Sequence, residues 1–200
     1  MRRELPYFKI EDGFGGNQDW FSDPMMKLGG CAAATACDLS VYMALYMGKS
    51  DLYPYDENNL TRKDYVEFSK KMKPYLHPRM SGINRLDIYT EGFGRYLRDA
   101  GEEGILMEEF SGERPVSEAK EKVKAQIEDG MPVPCLLLKH RDPALKDFVW
   151  HWFLLTGYEE FEEVFMVKTV TYGEYLWLDL DRLWNTGFSE KGGLILLNNR

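Results

Sequence analysis

The period of the apolar residues changes once along this chain, and that change limits the folds open to it. Before residue 130 the apolar positions recur mainly at helical spacing; after Pro132 they alternate in twos. Residues 30–47 carry Leu39, Val41, Tyr42, Ala44, Leu45 and Tyr46 on a helical repeat, with Gly48 as the stop. Thr61, followed three residues later by Asp64, predicts a capped helix to about Tyr75. Two more helices are predicted, Leu86 to Ala100 ended by Gly101, and Val116 to Asp129 with Ser117 as cap and Gly130 as stop. Ile105 to Phe110 reads as a short strand. Val133–Lys139, Phe148–Tyr158, Val164–Thr171, Glu174–Leu178 and Leu194–Leu197 read as strands of a mostly antiparallel sheet. Asp179–Trp184 reads as one or two helical turns, and residues 1–28, rich in glycine, proline and aromatics, as a mostly irregular arm. Helices first and strands last predict an α+β fold. The expected organisation is a single domain over residues 1–200, with a helical lobe over about 1–130 and a β lobe over about 131–200.

Composition narrows the function classes. An apolar content of 44% over 200 residues supplies one substantial core, and a net charge of −8 argues against nucleic acid or an anionic membrane as partner. No apolar run reaches the ~18–20 residues that span a bilayer, and no apolar segment follows Arg2-Arg3 to make a leader. Cys31 and Cys37 lie about 9 Å apart along one predicted helix, beyond disulfide reach. With Cys135 they make a sparse, odd set, which suits a reducing, cytoplasmic setting. No cofactor is expected. Cys31, Cys37 and His151 match no zinc-ligand spacing.

One segment carries reactive chemistry. Gly29-Gly30-Cys31-Ala32-Ala33-Ala34 places a thiol at the first turn of a helix, near free backbone N–H groups and the positive end of the helix dipole, which favour thiolate. Cys37 and Cys135 read as core. A cysteine nucleophile at neutral pH needs a base, and His77 and His140 lie in polar turns. His151 lies inside the apolar strand Phe148–Tyr158, where an imidazole requires a partner or a purpose. For the developing oxyanion, the Cys31 N–H is one donor, and the amides of Asn17 and Gln18 are further candidates.

Gly15-Gly16-Asn17-Gln18-Asp19-Trp20-Phe21, then Leu28-Gly29-Gly30-Cys31, then His151-Trp152 and Thr156-Gly157-Tyr158 resemble the papain-like cysteine peptidases, closest to those that process bacteriocin leaders after a double glycine. The resemblance covers roughly residues 13–47 and 148–198. It implies a papain-like fold acting on a peptide or protein substrate, with Cys31 as nucleophile, His151 as base and Gln18 as oxyanion donor. Val167–Gly173 resembles the strand that bears the residue orienting the histidine; Thr169 is placed there, with Thr171 and Asp179 as alternatives. Three departures stand out: Ala32 where glycine is common, a longer Gln18–Cys31 interval, and no Asn or Asp at the orienting position. They leave a second reading, a catalytically weakened relative that binds a peptide or protein partner.

Overall fold

A seven-stranded sheet ties the two halves of the chain together. The structure, a computed structural model, describes residues 1–199. The sheet runs β4 (Ile105–Ser111), β9 (Gly193–Asn199), β5 (Val133–Leu137), β6 (His151–Phe161), β7 (Val164–Thr171), β8 (Glu174–Asp179). β1 (Arg2–Glu4) joins it on β6, and every pairing within it is antiparallel. β5 covers β6 from His151 to Leu155 and β1 covers it from Gly157 to Glu159. β7 pairs along its other edge, so the first eight residues of β6 are buried and read as a continuous apolar run. The α+β class and the antiparallel sheet follow the sequence pattern. The expected split near residue 130 does not hold for the sheet, because β1 and β4 come from the earlier part of the chain.

Six α-helices accompany it: α1 (Pro24–Gly29), α2 (Cys31–Met47), α3 (Arg62–Met72), α4 (Leu86–Asp99), α5 (Val116–Glu128) and α6 (Leu180–Trp184). Helix α2 packs against β6 and α3 and is buried on almost every side. Its Ala32, Ala33 and Ala36 let neighbouring elements come close, and Leu39, Val41 and Met43 fill the core. Thr61 caps α3 as expected: its hydroxyl accepts from the Asp64 N–H (3.0 Å) and donates to the Asp64 carboxylate (2.8 Å). Ser117 does not cap α5. Pro115 holds that position, its fixed φ suiting the approach to a first turn, and Ser117 lies inside the turn.

The arm is far more ordered than its composition suggests. After β1 come a short hairpin of β2 (Lys9–Ile10) and β3 (Gly13–Phe14), a 3-10 turn over Gln18–Trp20, and α1. Leu5, Phe8, Ile10, Phe21 and Met26 are all buried and fix it to the core. Lys168 of β7 reinforces the attachment, with its ammonium 2.7 Å from Glu4 and over the rings of Phe14 and Tyr175. β6 begins at His151 rather than Phe148, because Pro143–Phe148 forms a 3-10 turn ahead of it. Among the described residues, no helix is long and apolar enough to cross a membrane.

Candidate functional site

Two glycines set the position of Cys31. Gly30 links α1 to α2, and its N–H is bound to the Met26 carbonyl. A Cβ on Gly30 would stand 2.3 Å from that carbonyl oxygen, and one on Gly29 would stand 2.4 Å from the Arg79 oxygen. Both clashes are with backbone, so only glycine lets α1, the start of α2 and the segment after Arg79 close together. The thiol that results is 4% exposed. The N–H groups of Trp152, Ala32 and Cys31 itself face it and favour thiolate, but desolvation outweighs them and raises the thiol pKa. The expectation of a resting thiolate is therefore corrected: burial wins over the helix start, and Cys31 rests as a thiol.

His151 opens β6 and is also 4% exposed. Burial lowers its pKa to about 4, so the imidazole rests neutral. Its Nε2 lies 2.6 Å from the Thr171 hydroxyl, and its Nδ1 lies 3.4 Å from the Tyr172 hydroxyl. The tyrosine ring stacks on it at 4.6 Å, with the planes 3° apart. The thiol is not among the imidazole's hydrogen-bond partners; the two groups line the same cavity, both neutral.

Thr169, the expected orienting residue, does not reach the imidazole, whereas Thr171 does. β7 pairs Val170 with Leu154 and Thr169 with Leu155. Thr171 thus falls diagonally across from His151, whereas Thr169 is opposite a residue four further on, about 13 Å along the strand. The Thr169 hydroxyl donates to the Leu176 carbonyl instead (3.0 Å). Asp179 caps α6 by accepting from the Asp181 N–H (2.8 Å) and does not reach the imidazole. Thr171→Val removes the partner of a buried ring nitrogen and is expected to cost about 1–3 kcal/mol of stability in urea denaturation. His77 is exposed, as read, while His140 is half-buried and bonded to the Arg182 carbonyl and the Asp142 N–H.

Gln18 does reach this centre, since α1 folds the intervening residues away and returns the amide beside Cys31. Its Nε2 donates to the Lys27 carbonyl (2.8 Å), and its buried Oε1 has no hydrogen-bond partner among the described residues. Gln18, Cys31, His151, Trp152, Thr171 and Tyr172 line one small cavity of about 20 Å³. A groove of about 440 Å³ then opens from Cys31, His151 and Tyr172 to solvent. Leu28, Met80 and Trp150 rim it, and these apolar side chains are 66%, 81% and 41% exposed. Trp150 holds φ 55°, a left-handed backbone uncommon for a bulky residue, immediately before His151.

Two residues at this centre escaped sequence reading. Asp38 shares the α2 face of Cys31 two turns on and lines the same cavity. Its carboxylate accepts from the hydroxyls of Tyr65 (2.7 Å) and Tyr7 (2.9 Å) and from the Gly16 N–H (3.0 Å). A charged residue within an apolar helix was the available signal. Tyr172 is the other. It and Gly173 form the two-residue turn between β7 and β8 with φ 53° and 74°, a conformation that favours Asn-Gly. A tyrosine in that place marks strain, and the Asn17 amide secures its carbonyl at 2.8 Å. Among the described residues no group of three His, Cys, Asp or Glu is gathered for a metal ion. Comparison of the chain with protein-family models, curated proteins and solved structures returns no match.

Proposed function

We propose that the protein is a thiol-dependent hydrolase of papain-like architecture that acts on a peptide or amide bond. The observation that carries this reading is that Cys31, at a helix start, and His151, at a strand start 120 residues later, line one cavity and one open groove. We assign the tautomer in which Nε2–H of His151 donates to the Thr171 hydroxyl 2.6 Å away, and that choice makes Nδ1 the base. On substrate binding the Cys31 proton passes to Nδ1, and the thiolate forms a bond to the carbonyl carbon, whose oxygen takes the π pair. The backbone N–H groups at the α2 start face that charge. Collapse re-forms the carbonyl and breaks the C–N bond, and Nδ1–H protonates the departing amine. Water then adds to the thioester and releases the acid, restoring the thiol.

A second reading, a peptide-binding relative with little turnover, is favoured by the neutral resting pair and by an orienting hydroxyl that brings no charge to support imidazolium. Alkylation by iodoacetamide at pH 6 and 7.5, mapped by mass spectrometry, separates the two. The hydrolase reading expects Cys31 to label in a His151-dependent way, slowed at least about tenfold in His151→Ala. Equal rates in the two proteins would remove the base from the scheme and favour the binding reading.

A further inference from the structure

Packing of α2 on β6 brings the elements of Cys31 and His151 together, and one short segment adds directional bonds to both sides. The Gly16 N–H donates to the Asp38 carboxylate on α2 (3.0 Å). The Asn17 amide donates to the Tyr172 carbonyl in the turn after β7, and the Gln18 amide donates to the Lys27 carbonyl on α1, both at 2.8 Å. Tyr172 in turn lays its ring on the imidazole of His151, and Lys27 stands four residues ahead of Cys31. Resting on the Cys31–His151 reading, we infer that Asp38 is a positioning residue for this pair: it fastens the Gly16–Gln18 strap to the nucleophile's helix, and the strap holds the imidazole in place through Tyr172.

Asp38 suits the part of an anchor. It is 6% exposed and lies on the face of α2 that carries Cys31. Its two oxygens take three donors from three separate segments. Oδ1 accepts from Tyr65 of α3 and from the strap at Gly16, and Oδ2 accepts from Tyr7, ahead of β2. A carboxylate gripped from three directions cannot follow the strap if the strap moves. A Cβ on Gly16 would stand 1.9 Å from the Tyr65 ring, so only glycine brings the strap down onto this cluster. Helix α2 also carries the group at a cost. Burial raises its pKa to about 6, so at neutral pH the folded protein holds a carboxylate it would be more stable without. Such a local conflict beside a reactive centre is the mark of a residue kept for function.

Iodoacetamide tests this on the intact chain, with each variant made with and without His151→Ala. The quantity measured is the factor by which His151→Ala slows alkylation of Cys31. Labelling of Cys37, the 0% exposed neighbour of Asp38, is mapped in the same samples and reports any opening of α2. In the parent protein the factor is at least about tenfold. Asp38→Ala leaves the Gly16 N–H without its acceptor. There the factor is expected to fall to about one with Cys37 still protected, since a displacement of about 1 Å is enough to defeat the transfer. Asp38→Asn keeps an oxygen for Gly16 and Tyr65 and offers its NH2 to the Tyr7 hydroxyl, and is expected to recover the factor to within about threefold of the parent. Asn17→Ala cuts the other end of the strap at a half-buried residue and is expected to lower the factor as Asp38→Ala does. It decides alone if Asp38→Ala does not fold. A parent-like factor in Asp38→Ala or in Asn17→Ala overturns the inference. A lost factor accompanied by labelling of Cys37 also overturns it and assigns Asp38 to the stability of α2. An equal loss in Asp38→Asn and Asp38→Ala overturns it too, since the charge rather than the anchoring bond would then be what the pair needs. A factor near one in the parent protein is a separate result, visible without any strap variant, which removes the dyad itself.

Discussion

Trp152→Ala is expected to lower the unfolding free energy by about 3–5 kcal/mol, the range for truncating a large buried aromatic ring. The indole is 1% exposed and stacks on Tyr89 at 4.4 Å with the planes 19° apart. Its Nε1–H donates to the Ile83 carbonyl at 2.6 Å, so the truncation leaves a buried backbone oxygen without its donor as well as a void. Trp152→Phe keeps most of the volume and loses only the donor, and about 1–2 kcal/mol is expected. Urea denaturation separates the two, provided the denaturant slope stays unchanged. A loss below 2 kcal/mol for the alanine variant would show that the layer under the site collapses to fill the space. Trp152 follows His151 and its backbone N–H faces the Cys31 thiol, so the loss of the ring that anchors this backbone is also expected to reduce His151-dependent labelling of Cys31.

The second large effect is a pair of opposed pH dependences. Burial raises the Asp38 pKa from 3.8 to about 6, against the pull of its bonds from Tyr65, Tyr7 and Gly16. The folded state thus holds this proton more tightly than the unfolded chain. The contribution of Asp38 to stability is full below about pH 4 and is lost as the pH rises through about 6. Burial moves His151 the other way, from 6.5 to about 4. Its contribution is full above pH 6.5 and is lost as the pH falls to about 4. At 1.36 kcal/mol per pH unit each is worth about 3 kcal/mol, so between pH 6.5 and 4 the two trends offset. Single substitutions separate them. Asp38→Asn is expected to lose about 3 kcal/mol more than the parent protein on going from pH 6.5 to 4, and His151→Gln is expected to gain about 3 kcal/mol relative to it. Titrations common to both variants cancel in the comparison. Parallel stability profiles would mean that one of these groups is hydrated in the folded state.

What was legible in the sequence depended on how local its cause is. Thr61 caps a helix through a contact three residues away, and Gly48 ends one through its own φ of 67°, so both could be read directly. The burial of His151 followed from the apolar strand around it. The choice of Thr171 over Thr169 did not follow from alternation, since both lie on one face. It depends on a register set by pairing with β6, which includes an irregularity between Leu155 and Gly157. The resting charge of Cys31 was misread because a helix start is visible in sequence and the depth of burial is not. The arm was read as irregular because its order comes from partners more than 130 residues away, such as Glu160 for Met1 and Tyr172 for Asn17.

Those distant partners have a consequence for the protein during its synthesis. Arg2–Glu4 wait for Glu159–Gly157, Gln18 and Cys31 for His151, and Asn17 for Tyr172. β9 then inserts between β4 and β5, closing the sheet with residues 193–199. On a ribosome making about 5–20 residues per second, these segments are parted for many seconds, and contacts of such long range form late. Cys31 is made early and His151 late, so a nascent or prematurely stopped chain carries the thiol without the imidazole beside it until the later strands have emerged.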